Sequence, residues 1–286
     1  MPLNKLAVIT ALALAAFAAN SLIGRAALGT GSIDAASFTA IRLLSGAFVL
    51  FILVNFISRE SKSNESGGRA GPIMLFLYAI FFSLAYISLD TGTGALILFG
   101  AVQITMILGA LYGGEKLSIM MWSGLLAAFG GFVNLVLPGV TAPSITGFLL
   151  MSFSGVAWGL YTLMGRESQH PTQDTAHNFI GTIPYVFLLL IISAAIFPDQ
   201  LSLTTRGIIL AVISGSLTSA LGYILWYQAV RNLSAARAGV IQLLVPVLAA
   251  GAGILFLSEL LTTRFVFSAV LIIGGIALVI GKREKS

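Results

Sequence analysis

The sequence predicts an all-α polytopic membrane protein with ten transmembrane helices, arranged as two inverted-topology repeats of five helices each. Three observations carry that expectation. Of 286 residues, 58% are hydrophobic and 9% charged, with a mean hydropathy of +1.01, whereas a soluble domain carries roughly 25% charged residues. The apolar residues fall into runs of about 20, the length that crosses about 30 Å of hydrocarbon as a helix. Landmarks of the first half recur in the second.

Breaks at charge, proline and glycine clusters place the spans at 5–24, 34–57, 70–89, 92–112 and 117–137, then at 145–165, 174–197, 207–228, 235–257 and 263–281. The first run follows Lys5 and has a later counterpart, so it reads as a span and not as a cleaved leader. The second opens after Asp34 and contains Arg42. A stretch rich in Ser, Gly and charge, 59–71, precedes the third. Gly92 and Gly94, beside Asp90, read as a tight turn into the fourth. Glu115-Lys116-Leu117-Ser118 leads into the fifth, which holds Gly130-Gly131. The sixth contains Ala157-Trp158-Gly159, and the seventh has Asn178, Thr182 and Tyr185 on one face. In the eighth, Ser216, Ser219, Tyr223, Trp226 and Tyr227 recur at helical spacing. The ninth contains Pro246. Glu259-Leu260-Leu261-Thr262 then leads into the tenth, with Gly274-Gly275.

The two Glu-to-Gly-Gly intervals are both 15 residues, and the segments stand 144 apart. Gly24-Arg25 matches Gly165-Arg166, and Tyr86 matches Tyr227, at an offset of 141. The repeats are therefore expected at 1–143 and 144–286. An odd number of helices per repeat makes the second half enter the membrane from the opposite side, the arrangement of alternating-access carriers whose site lies at the repeat interface.

Charge distribution orients the chain. With the N-terminus inside, the inner segments hold Lys5, Arg59, Lys62, Arg69, Lys116, Arg166, Arg231, Arg237, Lys282, Arg283 and Lys285, and the outer ones only Arg25, Arg206 and Arg264. Both termini are thus expected in the cytoplasm of a bacterial-type inner membrane. The net charge of +5 is then a topological signal and implies no nucleic-acid partner.

Arg42 lies inside a span, where a charge usually faces a cavity or a partner. It either holds a substrate carboxylate by paired bonds or snorkels outward and braces carbonyls of a neighbouring helix. Tyr78 and Phe82 in the third span, and Tyr223 in the eighth, sit at mid-depth as candidate cavity-lining side chains. Tyr86, Trp226 and Tyr227 lie nearer helix ends, where an interfacial belt is the competing reading. Gln103, Trp158, Tyr161, Tyr185 and Gln242 complete the substrate-site candidates, as polar groups that need partners inside the bilayer. Asn20 and Asn178 need partners for the same reason. His177 reads as interfacial. Glu115 and Glu259 read as corner braces that accept backbone N–H bonds beside the caps Ser118 and Thr262; they are also the better candidates if protons are the coupling ion.

The Glu-x-Leu-Ser/Thr segments leading to Gly-Gly, together with Phe38-Thr39-Ala40-Ile41-Arg42-Leu43-Leu44, Ala157-Trp158-Gly159 and Pro246, resemble the drug/metabolite transporter superfamily, specifically its EamA-type ten-helix members. The chain departs from that pattern at Phe17-Ala18 and Val102. The resemblance implies a secondary transporter, an exporter of small metabolites such as amino acids. A non-catalytic membrane scaffold and an intramembrane enzyme are the competing classes. The chain has no cysteine and two histidines, and neither a P-loop nor a His-Glu-x-x-His motif, so no metal or cofactor is expected. A monomer is the working expectation for oligomeric state.

Overall fold

The computed structural model describes residues 3–57, 70–112, 119–136, 142–233, 238 and 241–280. Every regular element among them is helical, as expected where lipid offers backbone N–H and C=O groups no partner. The elements are α1 (Leu3–Leu28), α2 (Ala35–Ile52) with a π turn at Leu53–Ile57, α3 (Ala70–Ala85), α4 (Thr91–Tyr112), α5 (Ile119–Val136) and α6 (Ile145–Arg166). They continue with α7 (Pro171–Gly181), α8 (Ile183–Ile196) and α9 (Thr205–Ile213), which runs through a π segment, Ser214–Leu221, into α10 (Gly222–Val230). The last are α11 (Leu244–Leu257) and α12 (Thr263–Ile280). Six stretches are long and apolar enough to cross a membrane, and four shorter apolar helices accompany them.

Local chemistry sets the helix starts. Asp34 accepts from Ser37 N–H (2.9 Å), Ser144 from Gly147 N–H, Thr204 from Gly207 N–H and Thr262 from Phe265 N–H, each satisfying a donor that the first turn leaves free. One expectation is refined and another needs correction. The seventh span is a single crossing-length apolar stretch, Pro171–Ile196, but it is built from two helices meeting at Thr182, where Pro184 removes a backbone donor. Gly92 and Gly94 form no turn; they lie in the first turn of α4, with Gly94 against the Tyr86 ring and Gly92 against Ala250.

Large apolar side chains such as Phe48, Leu126, Ile191 and Leu255 point outward, and Val186 is the one buried residue of α8. A surface of that kind suits acyl chains, not water.

Inside, helices meet through small residues, which let backbones approach closely. A Cβ on Gly131 would meet Leu271, Ile272 and the Ser268 carbonyl; one on Gly275 would meet Ala127, Ala128 and the Gly124 carbonyl. Adding 144 carries the second partner set onto the first. The α5–α12 seam is thus reciprocal at the residues that the sequence repeat pairs. Other contacts come in matching sets when the halves are exchanged. α3 packs on α6 as α1 packs on α9–α10, α4 packs on α6 as α1 packs on α11, α4 packs on α11, and α2 packs on α7–α8.

Candidate functional site

Arg42 stands in the middle of α2, 1% exposed. It neither snorkels nor braces carbonyls. Its Nε donates to Ser219 Oγ (3.0 Å), and its Nη2 donates to the hydroxyls of Tyr78 (3.0 Å) and Tyr223 (2.6 Å). The guanidinium carbon lies 5.0 Å from the Tyr78 ring centre and 4.8 Å from that of Phe82, within the range of cation–π attraction. Nη1 is buried and has no hydrogen-bond partner among the described residues.

This arrangement depends on the π segment. Gly215 brings its backbone onto α2 so closely that a Cβ there would overlap the Arg42 carbonyl and the Ser45 hydroxyl. The widened turn then delivers Ser219 to the guanidinium. Wide turns of this kind cluster at functional sites. Asn20 of α1 extends the same network: it donates to Tyr78 (3.3 Å) and accepts from Ser214 (2.6 Å) and Thr218 (3.0 Å).

Rings enclose the guanidinium and its hydroxyls. Trp158 lies 4.6 Å from Tyr223, 4.9 Å from Tyr78, 5.3 Å edge-on to Phe17 and 5.4 Å from Tyr161. Phe179 closes on Tyr223 at 5.8 Å. Three pairs in or beside this shell, Phe17 with Trp158, Phe38 with Phe179, and Phe82 with Tyr223, stand 141 apart, the offset that also relates Tyr86 to Tyr227. Trp158 Nε1 donates to Gln242 Oε1 (3.2 Å), Asn178 donates to the Tyr161 hydroxyl (3.4 Å), and Tyr227 donates to the Tyr161 carbonyl (3.2 Å).

The structure therefore gathers Arg42, Tyr78, Phe82, Trp158, Tyr161, Tyr223 and Gln242 in one buried cluster. Gln103 is buried on α4. Tyr185 stands apart, half-buried against Phe76 at 5.6 Å. Tyr86, Trp226 and Tyr227 form no interfacial belt: all three are at most 2% exposed. The residues absent from the sequence-based site candidates are Phe17, which stood out only as a departure from the family pattern, and the Ser214–Thr218 pair on Asn20. The Phe17–Trp158 offset was the available signal. Among the described residues no three of His, Cys, Asp and Glu gather, so the cluster works with rings, hydroxyls, amides and one guanidinium.

Glu259 braces a corner, but not the one expected. It follows α11 after Ser258, whose φ of 55° turns the chain. Its carboxylate accepts from Thr91 N–H (2.9 and 3.0 Å) and from Thr91 Oγ1 (2.8 Å) at the start of α4, not from the following α12. Arg25 Nε lies 3.8 Å away and links on to Asp90 at 3.3 Å. A carboxylate on a helix N-terminus is favourable by charge and by hydrogen bonding. Glu259→Gln should lower stability in detergent by about 1 kcal/mol, because an acceptor remains but the charge does not, and should leave the pH profile of transport unchanged. Normal melting with a lost pH dependence would make Glu259 a proton carrier instead. Its repeat counterpart Glu115 lies outside the described residues.

The family model for the EamA-like transporter family matches residues 145–281. An uncharacterized protein of Pseudomonas aeruginosa is 46% identical over 283 residues, 99% of this chain and 97% of that protein. An "Uncharacterized transporter" of Archaeoglobus fulgidus is 30% identical over 72% of this chain and 74% of its own length. A "Probable amino-acid metabolite efflux pump" of Escherichia coli is 24% identical over 80% of each chain. One solved crystal structure superposes with a TM-score of 0.64 at 17% identity, over 96% of this chain and 98% of that one, a likeness of fold.

Proposed function

The chain belongs to the EamA-like transporter family, and from that premise we propose that it is a secondary transporter exporting small metabolites such as amino acids across a bacterial-type inner membrane by alternating access. That it is a multi-pass membrane transporter with a small-molecule substrate, and not an enzyme, follows from the family and the apolar helices. The observation that carries the finer reading is the buried cluster around Arg42, to which α2 and α3 of the first half and α6, α7 and α10 of the second all contribute. A carrier needs a site that each half can expose in turn, and a site shared by both halves meets that requirement.

The reciprocal Gly131 and Gly275 contacts and the matched helix pairs support repeats at 1–143 and 144–286, ten spans and opposite orientation. The name of the Escherichia coli relative supports export and amino-acid cargo. The excess of Lys and Arg in alternate segments supports cytoplasmic termini. A monomer suffices as the working unit.

Counterflow tests this reading. Liposomes containing the purified protein and preloaded with an unlabelled mixture of amino acids, N-acylated amino acids and organic acids should transiently concentrate a labelled member of that mixture, whereas protein-free liposomes should not. A scaffold or an enzyme gives no counterflow. Reporter fusions after residue 64 and at the C-terminus should report cytoplasm, and one after residue 140 periplasm; an outside C-terminus would remove the inverted repeat.

A further inference from the structure

We propose that the passenger held at Arg42 is a monocarboxylate without a free ammonium group: an organic acid with an apolar body, or an amino acid whose nitrogen is acylated. The inference rests on the transport reading above and narrows its cargo.

The cluster is rich in donors and short of acceptors. Asn20 Nδ2, Arg42 Nη2 and the Tyr223 hydroxyl all converge on the Tyr78 oxygen, which has only two lone pairs. The amide oxygen of Asn20 is already taken by Ser214 and Thr218. Arg42 Nη1 is buried with its hydrogens unmatched among the described residues. A buried donor left unmatched is costly, and a carboxylate is the group whose two oxygens fit the planar guanidinium fork.

Among the described residues, the same neighbourhood offers an ammonium no carboxylate as counter-charge. The chain has ten Asp and Glu residues. Six are described, and all stand at helix ends or in connections: Asp34, Asp90, Glu167, Asp174, Asp199 and Glu259. The other four, Glu60, Glu65, Glu115 and Glu284, lie outside the described residues. Among the described residues, no helix interior carries an acidic side chain that could sit beside Arg42. The α-ammonium of a free amino acid would therefore be buried without a counter-charge among the described residues, a few ångströms from a charge of its own sign, which a low-dielectric interior strongly disfavours. The nearest ring faces, Tyr78 and Phe82, are already used by the guanidinium. An apolar body suits what remains, since Phe17, Trp158 and Tyr161 present ring surface around the cluster.

Four probes with one benzyl body separate the charges: phenylpropionate, N-acetylphenylalanine, phenylalanine and phenethylamine. Each is titrated at neutral pH into the purified full-length protein, followed by thermal shift and by tryptophan fluorescence. Phenylpropionate and N-acetylphenylalanine should bind at least tenfold more tightly than phenylalanine, and phenethylamine should not saturate. Phenylalanine binding as tightly as the two acids, phenethylamine matching them, or no saturable response to either acid overturns the proposal. Counterflow separates its failure from that of the reading beneath it. Exchange of labelled phenylalanine with no exchange of N-acetylphenylalanine sinks the cargo alone, and absence of exchange for every solute sinks the transporter.

Discussion

Trp158→Ala should destabilise the protein by about 3–5 kcal/mol, the usual cost of emptying a large aromatic site, read as a fall in melting temperature in detergent. Trp158 is 2% exposed and packs against Phe17, Tyr78, Tyr161 and Tyr223, side chains from both halves that cannot collapse onto one another without moving their helices. The loss has a second component. Without the indole N–H, Gln242 Oε1 loses its donor at 3.2 Å. Trp158→Phe keeps most of the ring volume and loses only that bond, so it should cost about 1–3 kcal/mol. An alanine variant that melts like the parent would mean that the shell is loosely packed and the halves do not meet here.

Arg42→Lys should lower the affinity for carboxylate substrates by roughly tenfold to a hundredfold, the equivalent of losing one or two charge-assisted bonds, with the charge retained. Lysine has the cation but not the plane. A single ammonium cannot hold Ser219, Tyr78 and Tyr223 in their present places and still present a two-bond fork. The measurement is counterflow of acidic against neutral solutes at matched amounts of folded protein. Equal loss for all solutes, together with less folded protein, would make Arg42 a structural strut.

Much of this was legible in the residues because membrane constraints are severe. Hydrocarbon thickness dictates helix length, and an intramembrane arginine stands out against 9% charge. The repeat offsets also had direct physical content: Gly131 and Gly275 reappear as the two sides of one seam, and Gly24 meets Phe82 and Tyr86 as Gly165 meets Tyr227. Other features depend on spatial neighbours and have no local signature. Glu259 and Thr91 are 168 residues apart, so nothing near Glu259 announces that it caps α4. Tyr86, Trp226 and Tyr227 look like belt residues by depth along their own helices; only the packing of α1, α4 and α6 over them removes them from the interface. The π turns have no compositional mark at all, and Pro184 frees the carbonyl of Ile180, which the Thr182 N–H then takes up.

That none of the described acidic residues lies in a helix interior also has an electrical consequence. With a monocarboxylate on Arg42 the membrane centre is neutral, and one outward turnover moves a single negative charge to the far side. A potential negative inside favours that movement by about 2.3 kcal/mol per 100 mV, enough to sustain a roughly fiftyfold outward concentration ratio. Export of such a cargo can run on the membrane voltage alone. No proton need travel with it, and Glu259, tied to Thr91 and Arg25 at the end of the bundle, is free to remain a brace.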